Sequence, residues 1–162
     1  PLACSPAEMG HVIYSAIRKH SGVLDPFKEV KKKSNETALS LYPVMKERLN
    51  NSSSPLQFAV KLAAAGNVID YGVPFEKDIE KEIFSFLDGN FTIFDFEEFR
   101  SSVSFASNIL YIADNAGEIV FDKLLIETIK EITIIENKTF FGLVIIIFHF
   151  SPFSILLFIP IF

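Results

Sequence analysis

The chain has 162 residues and a formal net charge of −5, with a pI near 5.2. That length supports one domain with a real core, and the acidic balance, with no basic face to offset it, excludes a general nucleic-acid binder. The single cysteine, Cys4, cannot close an internal disulfide, which fits a reducing, cytoplasmic setting. Glu8, His11 and Arg18 interrupt any apolar run that would make the opening a signal peptide.

Pro6 and Gly22 bracket a predicted helix over residues 6–20, and Met9, Val12, Ile13, Ala16 and Ile17 recur at spacings that predict a buried stripe. Asp25-Pro26 starts a second helical stretch to about Leu49, with a bend expected at Pro43. After the loop of Asn50 to Ser54, Ser54-Pro55 opens a third helix that ends near Gly66-Asn67. A short segment over Val68–Gly72 follows, then a helix near Glu76–Leu87. Asp95-x-x-Glu98 predicts a capping box for a further helix to about Ala106. The β signal comes last: Ile109–Ala113 reads as a strand, Gly117–Lys130 as a helix and Ile132–Ile135 as a second strand. These three form one expected βαβ unit, with open edges that need further partners.

Lys31-Lys32-Lys33 is the one basic cluster and reads as a solvated helix face. Every Asp, Glu, Lys and Arg lies at or before Lys138. The uncharged remainder, rich in Phe and Ile, has the length of a membrane span, yet Ser151-Pro152 interrupts it, Pro160 sits near its end and no basic anchor follows. A membrane anchor is therefore not expected. The composition of the tail resembles out-of-frame translation of AT-rich DNA.

The most informative stretch is Asn108 to Asp122, where a strand ends in Asp114 and Asn115, turns on Gly117 and opens a helix. Ligands sit at such strand ends in open α/β sheets. Asp114 offers an anionic oxygen and Asn115 a neutral one, both suited to a hard divalent cation such as Mg²⁺ or Mn²⁺. Free N–H groups and the positive end of the new helix favour a phosphate. The same tetrapeptide, Asp-Asn-Ala-Gly, also reads as a plain βα turn. No G-x-G-x-x-G follows the strand, so a dinucleotide cofactor is not expected. His11, His20 and His149 show no ligand spacing.

Taken in order, a set of blocks resembles the metal-dependent damage-control phosphatase family, catalogued as domain of unknown function 89, in its archaeal and bacterial form. The blocks are Ile13-Tyr14 with Ile17-Arg18, Gly22 with Asp25-Pro26-Phe27, Lys31 with Asn35, Leu41-Tyr42-Pro43, Pro55-Leu56, Lys61-Leu62-Ala63, Ala65 to Asp70, Ile109 to Tyr111, Asp114 to Glu118, and Phe121 to Leu125. The resemblance implies an α/β (α+β overall) fold: a helical region over residues 1–107, then the first βαβ unit of a Rossmann-like parallel sheet over 108–136, truncated, and an apolar, aberrant tail over 137–162.

By resemblance the activity is removal of phosphate from small phosphorylated metabolites, sugar phosphates among them, with one divalent metal ion (Mn, Mg, Ni or Co). Asp114 and Asn115 match two metal ligands and would be the catalytic centre. Asn67, Asp70 and Glu118 match substrate-binding positions. Their plain alternatives are a helix C-cap by Asn67, a turn at Asp70 and a helix-dipole partner in Glu118. Lys31 and Asn35, one helical turn apart, read as packing or surface residues. The sequence departs from the family in lacking an N-terminal segment with paired cysteines and, in the tail, the Asp that would be the third metal ligand. The expectation is an impaired phosphatase, the alternative a non-catalytic remnant or binding protein, and the third option a protein anchored to a membrane through the apolar tail.

Overall fold

The computed structural model describes residues 6–66, 79–89, 91, 93–106, 108–113, 115–136, 143–149 and 155–161. Among them six helices and three strands follow one another, and the chain is mostly helical. It divides into two compact units, Pro1–Lys33 and Ser34–Phe162.

In the first unit, helix α1 spans Pro6–Ser21, with Arg18, Lys19 and His20 in the last turn opposing its negative end. The Gly22 N–H returns to the Arg18 carbonyl at 3.0 Å and closes the helix. Asp25 then organises the next start: its Oδ1 accepts the Phe27 N–H at 3.1 Å and its Oδ2 accepts from Lys31 Nζ at 3.0 Å. The Tyr14 and Phe27 rings meet edge to face at 5.3 Å. The predicted stripe of α1 is not covered by the rest of the first unit: Val12 is 64% and Ile13 53% exposed. A unit this short holds too little chain to cover the stripe by itself.

Helix α2, Lys28–Asn50, crosses into the second unit. Its buried residues Ala38, Met45 and Leu49, with half-buried Tyr42 between them, repeat at four, three and four, which is one helix face. Pro43 lies inside α2 without ending it. The carbonyl it leaves unpaired belongs to Leu39, an exposed residue, so water is at hand to satisfy it. Helix α3, Pro55–Ala65, starts with proline at its first position and buries Leu56, Ala59, Val60, Leu62, Ala63 and Ala65. Its alanines leave room for close approach. Helix α4 spans Ile79–Asp88, and Lys61 of α3 donates to the Leu87 and Gly89 carbonyls at 3.2 and 3.4 Å, tying down its carboxyl end. The predicted Val68–Gly72 segment and the start of the predicted helix near Glu76 lie outside the described residues. Helix α5, Phe96–Phe105, begins where Asp95 was expected to cap it, yet the Asp95 side chain makes no capping hydrogen bond. Burial of Phe96, Phe99 and Val103 holds this helix instead.

Strand β1, Asn108–Ile112, alternates as an edge to the core should: Ile109 and Tyr111 face inward while Asn108, Leu110 and Ile112 are exposed. Helix α6 then runs over Glu118–Glu136. The strand expected at Ile132–Ile135 is therefore corrected to helix. Phe121, Leu125, Ile129 and Ile132 continue one face at spacings of four, four and three, and packing of that face overrides the β propensity of the last isoleucines. Strands β2, Leu143–His149, and β3, Ile155–Ile161, come from the apolar tail. The sheet order is β1-β2-β3, with β2 parallel to β1 from Asn108↔Leu143 to Ile112↔Ile147 and β3 antiparallel to β2. Pro160, which has no N–H to give, sits in the edge strand β3. Among the described residues no helix is long and apolar enough to cross a membrane.

The core lies where α3 packs on α6, with α4 on α3 and α5 on α6. Phe99 and Phe121 are its largest fully buried side chains, each stabilising the fold by about 1.5–3 kcal/mol relative to exposure.

Candidate active site at the turn between β1 and α6

The chain leaves β1 at Ile112 and enters α6 at Glu118. Gly117 has φ 90°, in the left-handed region, so glycine at the fourth place of Asp-Asn-Ala-Gly is a requirement of the turn. The turn is closed by Ile119 N–H to the Asn115 carbonyl at 3.4 Å and Val120 N–H to the Gly117 carbonyl at 3.2 Å. The Gly117 N–H donates to Oδ1 of Asn35 on α2 at 2.7 Å. The expectation of free N–H groups at this helix start is thus corrected at Gly117, Ile119 and Val120, whose donors are already paired within the protein.

Glu118 is only 2% exposed, although it opens a helix. Its Oε1 accepts from Asn115 Nδ2 at 3.0 Å. The opposite amide orientation would set a carbonyl oxygen against a carboxylate, so the chemistry fixes which way Asn115 faces. Its Oδ1 then remains as the side-chain acceptor for an outside partner. The buried anion also sits at the positive end of α6.

One turn further along α6, Asp122 is 3% exposed and accepts the Tyr111 hydroxyl proton at 2.7 Å. Burial first, and then the negative charge of Asp122, hold the Tyr111 phenol far above its ordinary pKa, so it remains a donor. Helix α3 meets the same place end-on. A Cβ added to Gly66 would lie 3.1 Å from Glu118 Cα and 3.4 Å from its Cβ and Cγ, so glycine lets the end of α3 approach the first residue of α6.

The structure therefore joins Asn115 and Glu118 among the predicted site residues. Asp114, Asn67 and Asp70 lie outside the described residues. Sequence reasoning passed over three participants: Asn35, Tyr111 and Asp122. The four-residue spacing of Glu118 and Asp122 places both carboxylates on one face of α6 and was a readable signal. Asn35 carried no local signal, because the group it binds is 82 positions away.

Among the described residues no three His, Cys, Asp or Glu side chains gather as a metal centre. The donor set that does exist is all oxygen, Asn115 Oδ1 with the carboxylate of Glu118 behind it. This chemistry fits a hard divalent cation and does not suit a soft one.

Residues 5–141 match the family described as Damage-control phosphatase ARMT1-like domain. A damage-control phosphatase of Pyrococcus horikoshii is 43% identical over 129 residues, covering 79% of this chain and 44% of that protein. One from Archaeoglobus fulgidus is 37% identical over 128 residues, 76% of this chain and 44% of the relative. A crystal structure of a DUF89 family protein from Pyrococcus horikoshii superposes with a TM-score of 0.66 at 41% identity, over 75% of this chain and 42% of that one. The chain thus spans less than half the length of these relatives, and the family match ends before β2.

Proposed function

Because the chain belongs to the ARMT1-like damage-control phosphatase family, we propose that it carries part of a metal-dependent phosphatase centre for small phosphorylated metabolites, sugar phosphates among them, acting in the cytoplasm. One observation carries this reading: a buried glutamate at the start of α6 fixes the Asn115 amide beside Asp114. Asp114 and Asn115 are the metal ligands, and the chain from β1 onward opens a Rossmann-like domain.

The chemistry a bound Mn²⁺ or Mg²⁺ supplies at such a site is polarisation of phosphoryl oxygens and neutralisation of the charge that develops on them. Glu118 holds Asn115 with its Oδ1 available, and Asn35 holds the Gly117 N–H and with it the backbone of the turn. Asn67 and Asp70, which follow α3 in the sequence, serve substrate in this reading, and Gly66 at the end of α3 meets Glu118. The expected outcome is Mn²⁺-dependent hydrolysis of p-nitrophenyl phosphate or a sugar phosphate, reduced to background by chelator and by Asp114→Ala. Glu118→Gln should lower it about 10–100-fold, the usual effect of losing a group that orients a ligand. Hydrolysis that survives both chelator and Asp114→Ala sinks the proposal.

A second reading, a non-catalytic binding protein, draws on a different observation: the matched region is under half of each relative. Mn²⁺ binding without turnover of any sugar phosphate would select it.

A further inference from the structure

Tyr111 and Asp122 bracket the ligand residues in the sequence and are bonded to each other. Tyr111 is in β1, three positions before Asp114, and Asp122 is in α6, one helical turn beyond Glu118. The 2.7 Å contact therefore ties the strand to the helix across the whole of the turn that carries Asp114, Asn115 and Gly117. Asp122 is 3% exposed on a helix whose other buried positions, Glu118 and Thr128 aside, are apolar. A buried carboxylate is costly unless partners hold it, and the Tyr111 hydroxyl is one donor that does so. An apolar pair would pack the same space without that demand. The polar pair adds direction, because a hydroxyl and a carboxylate bond at one distance and angle where two methyl groups would slide.

We propose that Tyr111 and Asp122 are positioning residues: a polar clamp that fixes the spacing between β1 and α6 and thereby the geometry of the ligand-bearing turn. The inference takes its functional meaning from the phosphatase reading above. The clamp itself is a statement about the metal-free protein and is tested there.

The experiment is site-resolved amide hydrogen exchange on the full chain without metal, comparing it with Tyr111→Phe and Asp122→Asn. Tyr111→Phe removes the hydroxyl alone, whereas Asp122→Asn keeps an acceptor for it. The clamp predicts exchange at least about tenfold faster at Ile119 and Gly117 in Tyr111→Phe, the scale of one lost hydrogen bond to a charged group, with α3 and α5 unchanged. Asp122→Asn should stay near the parent. Asp122→Ser, too short to reach the phenol, repeats the test from the other side should Tyr111→Phe not fold. Exchange that is unchanged at the turn, or that rises equally in every helix, overturns the clamp and leaves an ordinary stabilising contact. Titration of the same variants with Mn²⁺ then reads the consequence: about 10–100-fold weaker binding for Tyr111→Phe and near-parent binding for Asp122→Asn. A parent chain that binds no Mn²⁺ while the turn loosens locally would leave the clamp standing and sink the metal-site reading instead.

Discussion

Helices α1 and α6 both carry an apolar stripe at helical spacing, and the molecule treats them in opposite ways. On α6, Phe121, Leu124, Leu125 and Ile129 are buried against α3 and α5. On α1, Val12 and Ile13 find no cover within their own small unit. Periodicity states which face is suited to burial; only the surrounding chain decides whether burial happens. The difference matters for chemistry, because Glu118 and Asp122 acquire fixed partners only where that burial is complete. A carboxylate on an uncovered helix would be solvated and free to turn.

The comparison is sharpened most by emptying the covered face. Phe121→Ala should cost about 3–5 kcal/mol through the cavity it leaves between α6 and α3. Val12→Ser on the uncovered face should change stability by no more than about 0.5 kcal/mol. Urea melts of the two variants check the pair; equal effects would mean that α1 is covered in solution. Gly66→Ala comes next. Its methyl group would press on the Glu118 backbone at 3.1 Å and should cost about 1–3 kcal/mol, with the loss visible in the same melts.

The smallest effect belongs to the surface contact of α2 with α6. Glu127 accepts from Tyr42 at 3.2 Å and from Lys46 at 3.4 Å. Desolvation pushes the Glu127 carboxyl upward, but Lys46 and Tyr42 together outweigh it, so its pKa lies below the ordinary 4.5. Lys46 is shifted up from 10.5, chiefly by its bond to Glu127. A lowered acid stabilises above its unfolded pKa and a raised base below its own. The pair therefore contributes fully between about pH 4.5 and 10.5 and loses that contribution as pH falls through the folded Glu127 value or rises through the folded Lys46 value. Both side chains are more than a third exposed, so the contribution is small and shrinks with salt. Thermal melts of Glu127→Gln at pH 7 and pH 3.5 check this: a small difference from the parent at pH 7 should shrink at pH 3.5.

How far the sequence could be read follows the same line. Helices marked by local punctuation were legible: Pro55 opens α3, Gly22 follows α1 and Gly117 precedes α6. The end of α6 was not, because Ile132 to Ile135 has strand-like residues and only the packing of Ile129 and Ile132 on the core reveals a helix. Asp95 looked like a cap by pattern, but side-chain direction, which the pattern does not contain, left it without the bond. At the site, Asn115 and Glu118 were readable from a strand ending in oxygen-bearing residues before a helix. Asn35 was not, since its bond to Gly117 spans two helices distant in sequence. The tail read as an aberrant apolar segment that could bury against the open sheet, and its β2 pairs in register with β1. Strand pairing is set by partners far along the chain, which periodicity within one segment does not record.

The turn between β1 and α6 is proposed as a divalent-metal site. The measurement that tests it most directly is calorimetric titration of Mn²⁺ into the full chain and into its Asp114→Ala variant. Saturable binding by the chain, lost in the variant, is the predicted result. Absence of binding by the parent, or binding of equal strength by both proteins, would contradict it.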